Sequence, residues 1–148
     1  MQLRFPTGLA GEDYVKCQGW VDARLQRCPR HPGGGCGFRR HATYVRKRPH
    51  GARVARWYCQ QAHETFSLLP DCLAARLPGT LAEVERTVVV VEQAPSLEAA
   101  ADGLRPDIEL PGAVRWTRRR KRAAHAGVNV LRGLMPHTFA PAVVCLVG

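Results

Sequence analysis

Two short clusters of soft ligand residues carry the clearest chemical signal in this chain. The first reads Cys28-Pro29-Arg30-His31-Pro32-Gly33-Gly34-Gly35-Cys36 and the second Trp57-Tyr58-Cys59-Gln60-Gln61-Ala62-His63. Tetrahedral zinc takes four thiolate or imidazole ligands, and each ligand pair must lie close in sequence because a single turn holds it. Cys59 and His63 form one such pair. The other is open: Cys28 with His31 has knuckle spacing, whereas Cys28 with Cys36 supplies two thiolates if the glycine loop bends back. The expected set is Cys28, Cys36, Cys59 and His63, with His31 as the nearest substitute. Cys17, Cys72, His41 and His50 are read as packing or surface residues, since a lone cysteine beside a strand is more often a small buried hydrophobe.

What must position these ligands is a β-hairpin. The runs 41–48 and 53–59 are rich in β-branched and aromatic residues, and Pro49-His50-Gly51-Ala52 lies between them as a turn. The return arm would carry Cys59 and His63 back towards Cys28. Arg46, Lys47, Arg48, Arg53 and Arg56 would crowd the hairpin and give it a basic face. Upstream, Tyr14-Val15-Lys16-Cys17 and Gly19-Trp20-Val21 read as short strands; downstream, Thr65 to Asp71 reads as a closing strand.

Beyond Leu77-Pro78-Gly79 the signals change to helical ones. Thr80-Leu81-Ala82-Glu83 has the form of a capping box. Leu81, Val84, Val88 and Val91 recur at helical spacing, although the four valines 88–91 would also suit a buried strand. Ser96 is placed as the N-cap of a second helix ending near Leu104. Pro111 suits the first turn of a third, running to about Leu134. Its side carries Arg115, Arg118, Arg119, Arg120, Lys121 and Arg122. The reading is an α+β protein: a small zinc-ribbon β-hairpin domain (1–75), then a three-helix helix-turn-helix-like domain (76–136), then a tail (137–148).

The composition points to a polyanionic partner. The 148 residues hold 22 Lys+Arg against 12 Asp+Glu, a formal charge of +10, and the isoelectric point is near 10.1. No acidic residue occurs from Ala23 to His63 or from Leu110 to Gly148. Two basic blocks suit phosphate backbones, double-stranded DNA first among them; a charge run is also what a solvated surface looks like. No export signal is evident and the valine run 88–91 is far too short to span a bilayer, so a cytoplasmic protein with no membrane partner is expected. That setting favours metal over disulfides for the cysteines. An oxidoreductase role is disfavoured because there is no Cys-x-x-Cys and no βαβ pattern around the thiols.

The succession Cys28-Pro29 to Pro32, Cys36-Gly37-Phe38, Arg40-His41, Tyr44 to Lys47, Arg56-Trp57-Tyr58-Cys59 and Thr65-Phe66-Ser67-Leu68-Leu69-Pro70-Asp71 resembles the N-terminal zinc-ribbon region of bacterial insertion-sequence transposases and their short relatives. The helices through Arg115-Trp116-Thr117-Arg118-Arg119-Arg120 are similar to the helix-turn-helix that follows in such proteins. The resemblance implies bound zinc, DNA as ligand, and a transposase or a second copy as protein partner. Many such ribbons have Cys-x2-Cys in the second knuckle; here that position is Ala62, with His63 one step beyond. No catalytic centre is implied, because strand transfer needs three carboxylates on a ribonuclease-H-like sheet, and the acids from Glu83 to Glu109 fall on helices or their turns. The expected protein is not an enzyme. The alternative is a zinc-ribbon module for protein interaction or RNA binding.

Overall fold

The computed structural model describes residues 1–135, so the tail expected over 137–148 lies outside the described residues. Eight elements follow in order: β1 (Gln2–Phe5), α1 (Gly11–Lys16), β2 (Arg39–Val45), β3 (Arg53–Cys59), β4 (Glu64–Pro70), α2 (Leu81–Gln93), α3 (Leu97–Leu104) and α4 (Leu110–Leu134). Over the described residues the chain is thus mixed α/β, with a four-stranded sheet and four helices. Its contacts divide it into two units, Met1–Glu83 and the residues from Val84 onward.

In the first unit the sheet order is β1-β4-β3-β2. β2, β3 and β4 form an antiparallel meander, and β1 adds to β4 in parallel. A bulge at Arg40/Ala42 interrupts the β2–β3 register, so that His41 is an extra residue on the edge strand. Successive residues of a strand point to opposite faces, and the core clusters divide accordingly. One face sets Ala55, Trp57 and Cys59 of β3 beside Phe66 and Leu68 of β4 and Leu3 and Phe5 of β1. The irregular segment 23–38 covers this face through Ala23, Leu25, Cys28, Cys36 and Phe38. On the opposite face Val54 and Leu69 pack with Leu73, Val15, Tyr44 and Cys72.

Residues 14–17, expected as a strand, belong instead to the helix α1 and its cap, and 19–21 are turn. Glu12 and Asp13 in the first turn and Lys16 in the last complement the helix dipole. The β-branched and aromatic content of this stretch serves burial: Tyr14 is fully buried and its hydroxyl donates to the Arg53 carbonyl at 2.9 Å. Burial also drives the Tyr14 phenol pKa up. Gly19 is required beside that ring, since a Cβ there would lie 2.5 Å from it.

The stretch 71–80 locks onto the first unit, which is why that unit runs to Glu83 rather than ending near 75. Asp71 accepts from the Thr7 hydroxyl at 2.6 Å and from the amides of Thr7, Gly8 and Cys72. Those bonds hold its carboxyl below the usual carboxylate range, the Thr7 hydroxyl foremost. The Arg46 guanidinium donates to the carbonyls of Ala74, at 2.8 Å, and Leu77.

The helix signals of the second half are realised residue by residue. The Thr80 amide donates to Glu83 at 2.6 Å and the Glu83 amide to the Thr80 hydroxyl at 3.1 Å, a reciprocal capping box at the start of α2. The Ser96 hydroxyl accepts from the Ala99 amide at 3.1 Å, and Pro111 occupies the first turn of α4. α3 packs on α4, with small residues buried on each, Ala100 and Ala101 on one and Ala113 and Thr117 on the other.

Candidate metal centre

Three cysteines and one histidine converge at the end of β3. Cys59, the last residue of that strand, is fully buried, and Cys28 and Cys36 are each 3% exposed. With half-buried His31 they place one ligand atom each, and these four atoms lie within 4.8 Å of one another. The local chain explains the convergence. The His31 amide donates to the Cys28 carbonyl at 3.2 Å and the Gly34 amide to the His31 carbonyl at 3.0 Å, so consecutive turns present Cys28 and His31 together. Gly34, Gly35 and Gly37 adopt positive φ of 87°, 75° and 65°. A left-handed run of this kind is open to glycine and costly to other residues; it bends the loop until Cys36 returns to the first pair. The Cys36 carbonyl then accepts from the Gln61 amide at 3.3 Å, joining the loop to the β3–β4 turn. On that turn the Ala62 amide donates to the Cys59 sulfur at 3.4 Å.

The spacing fits a tetrahedral ion. Zinc with sulfur at about 2.3 Å and nitrogen at about 2.05 Å sets a ligand sulfur and nitrogen about 3.5 Å apart. His31 Nδ1 lies 3.6 Å from the Cys28 sulfur and 3.4 Å from the Cys59 sulfur. The thiol chemistry agrees. Burial raises the Cys28 pKa, but hydrogen bonds with His31, with the Arg30 and His31 backbone and with Cys59 outweigh it and bring the thiol down to about 7. Cys36 is pushed up, by burial first and then by Cys59 and Cys28 beside it. Neighbouring thiolates repel, and a divalent cation at their centre removes that repulsion and favours all three anions.

His63 is a correction to the expected set. It is exposed and lies outside the four-residue group. Its Nδ1 is 3.2 Å from the Tyr58 hydroxyl, and its φ is 49° in the tight turn before β4. Tyr58 and Cys59 are neighbours on one strand and face opposite sides of the sheet, so a residue bonded to Tyr58 is on the wrong side to reach the sulfurs. The Cys28-x2-His31 spacing was the signal for the residue that takes its place. Cys17 is exposed and Cys72 half-buried, and both are free thiols outside the four-residue group.

The basic residues divide into two groups. Lys47, Arg48 and Arg53 on the hairpin are exposed, as are Arg115, Arg118, Arg119 and Arg122 on α4. The four α4 arginines line one concavity of about 310 Å³, which follows from their i, i+3, i+4, i+7 spacing. Lys121 is half-buried beside Arg118 and Arg122. Arg46 and Arg120, expected at the same interface, serve the fold. Arg46 is taken up by the two carbonyls of 74 and 77, and Arg120, 4% exposed, lies 3.8 Å over the Trp116 ring. Sequence reasoning also missed the Arg30–Glu64 ion pair at 2.8 Å, which keeps the Glu64 carboxyl below its ordinary range and ties the ligand loop to β4.

Comparison of the chain with protein-family models, with curated proteins and with solved structures finds no match. The centre is therefore read from its own geometry. Among the described residues no helix is long and apolar enough to cross a membrane.

Proposed function

We infer that this chain is a zinc-stabilised DNA-binding protein of the kind that accompanies or derives from transposases, with no catalytic role for the metal. Cys28, His31, Cys36 and Cys59 would hold the ion. A catalytic zinc keeps a position for water or substrate, whereas four protein ligands fill the tetrahedron. What the ion supplies is rigidity, by fastening the glycine loop and the β3–β4 turn to each other.

The observation that carries the DNA reading is the α4 ridge of Arg115, Arg118, Arg119 and Arg122, all exposed and lining one concavity on a helix with no acidic residue. Closely spaced guanidinium groups repel one another, and a phosphate backbone offsets that repulsion while fixing several at once. Lys47, Arg48 and Arg53 add a second basic group on the hairpin. The helix-turn-helix assignment for α2 to α4 and a transposase or second copy as partner belong to the same proposal. Titrating duplex DNA across a range of salt tests it: affinity should fall steeply, and replacing the four arginines with alanine should reduce the log–log slope by about 0.9 for each phosphate no longer neutralised. A duplex affinity that is flat between low and near-physiological salt overturns the reading.

A further inference from the structure

The sheet face opposite the candidate metal centre carries an aromatic and basic strip that the α4 ridge does not use. From Tyr44, which packs on the Val54–Leu69 cluster, this face runs diagonally through Arg56 to Tyr58, with Thr65 opposite Tyr58 and Ser67 opposite Arg56 on β4. The bulge presents His41 from the edge strand, and its ring lies 5.6 Å from that of Tyr58. The Arg56 guanidinium sits 5.7 Å over the Tyr44 ring. It forms no salt bridge with a carboxylate among the described residues, and its buried Nε has no hydrogen-bond partner. The nearest acid in sequence, Glu64, pairs in register with Cys59 and so belongs to the other face, where Arg30 neutralises it. The strip is thus positively charged and edged by aromatic rings, with hydroxyls alongside.

We propose that this face binds single-stranded polynucleotide, with an unpaired base stacked on Tyr58 and the backbone phosphates drawn to Arg56 and the neighbouring hairpin cations. Every base offers a π face, so aromatic side chains on a sheet hold unpaired bases with little regard to sequence. A duplex hides those faces inside its own stack and gains nothing from Tyr58. Thr65 and Ser67 supply donors and acceptors for base edges. DNA and RNA share this chemistry, and a hydroxyl at the sugar is the one feature by which the strip could separate them. The inference does not depend on the α4 ridge: it concerns another surface and another form of nucleic acid.

The test uses the zinc-loaded full chain and fluorescence anisotropy with labelled oligo(dT), oligo(U) and a mixed-sequence duplex, each of about 12 units, within the range one such surface occupies. Tyr58→Ala should weaken oligo(dT) or oligo(U) binding by at least about 5-fold, the lower end of what one base–aromatic stack contributes, and leave duplex affinity as it was. Tyr58→Phe keeps the ring and should keep the affinity. If Tyr58→Ala does not fold, His41→Ala, at an exposed edge position, should give a loss in the same direction. A loss confined to one oligonucleotide identifies the sugar the face prefers. Single-strand affinity unchanged in the folded variants, an equal loss for duplex and single strands, or no single-strand binding by the wild type each overturns the proposal; none of these touches the salt dependence on which the duplex reading stands.

Discussion

Replacing each of the two candidate histidines in turn gives the sharpest test of the metal centre. His31→Ala removes a nitrogen that lies 3.4–3.6 Å from two ligand sulfurs, while His63→Ala removes a surface bond to the Tyr58 hydroxyl. With free zinc at about 1,000 times the dissociation constant, binding stabilises the folded unit by about 4 kcal/mol. For a unit of this size, Met1–Glu83, each kcal/mol moves the melting temperature by about 4–8 °C. Stripping the ion from the wild type should therefore lower the melting temperature of that unit by roughly 15–30 °C. His31→Ala should reproduce most of that fall at equal zinc, and its ion should pass to a competing chelator at far lower chelator concentrations. His63→Ala should melt and chelate like the wild type. Native mass spectrometry gives the stoichiometry, and calorimetry with and without chelator gives the shift. Zinc retained by His31→Ala and lost by His63→Ala would refute the assigned ligand set, and a wild type that binds no metal would refute the centre itself.

Two further perturbations separate residues of the fold from residues of the interface. Arg46→Ala and Arg120→Ala should each destabilise by about 1–3 kcal/mol, Arg46 because two backbone carbonyls lose a charged donor and Arg120 because its stack on Trp116 is removed; in urea denaturation both should shift, and variants that instead keep full stability while losing duplex affinity would reverse the assignment. Asp71 carries a depressed carboxyl pKa, so its stabilising contribution is complete above the unfolded carboxylate pKa of about 3.9 and fades as pH falls through the lower folded value. Asp71→Asn should lower stability by about 1–2 kcal/mol at neutral pH, with screening allowed for, and the gap to wild type should close in strong acid; denaturation curves that keep a constant gap down to pH of about 2 would show that the carboxylate charge is not the cause.

The local features of this chain were legible where neighbouring residues decide them. The β2–β3 turn, the Thr80–Glu83 box, the Ser96 cap and Pro111 at the start of α4 each involve partners a few residues apart, and all appear in the structure. The errors arise where a distant partner decides. Tyr14 looks like a strand residue by type, but its hydroxyl is held by Arg53, and the six-residue helix around it is too short to show a period. β1 forms because β4 offers a free edge, and nothing local in Gln2–Phe5 announces a parallel partner at Ser67 to Pro70. The ligand set failed on one residue for a related reason: Cys59-x3-His63 has the right spacing, yet the side of the sheet to which each residue turns is settled by pairing with β4. Arg46 and Arg120 read as surface cations because charge is visible in sequence and the carbonyls or ring that engage it are not.

An ion at the candidate centre would help to account for how the face around Cys59 is covered. The core at that end consists of three cysteines and Phe66, with Leu3, Leu25, Phe38 and Trp57 around them. Thiolates without a cation would make a poor core, since burying a charge costs far more than burying a methyl group returns. An ion at their centre turns the same atoms into a fixed cross-link between the irregular segment 23–38 and the end of β3. The covering of that face would thus draw on the metal as well as on the apolar contacts of Leu3, Leu25, Phe38, Trp57 and Phe66. A bound ion would fasten Cys59, and strand alternation places Tyr58 on the opposite side of the sheet. A structural metal on one side of the sheet would in this way fix the strand that presents Tyr58 on the other, the side proposed above for single strands.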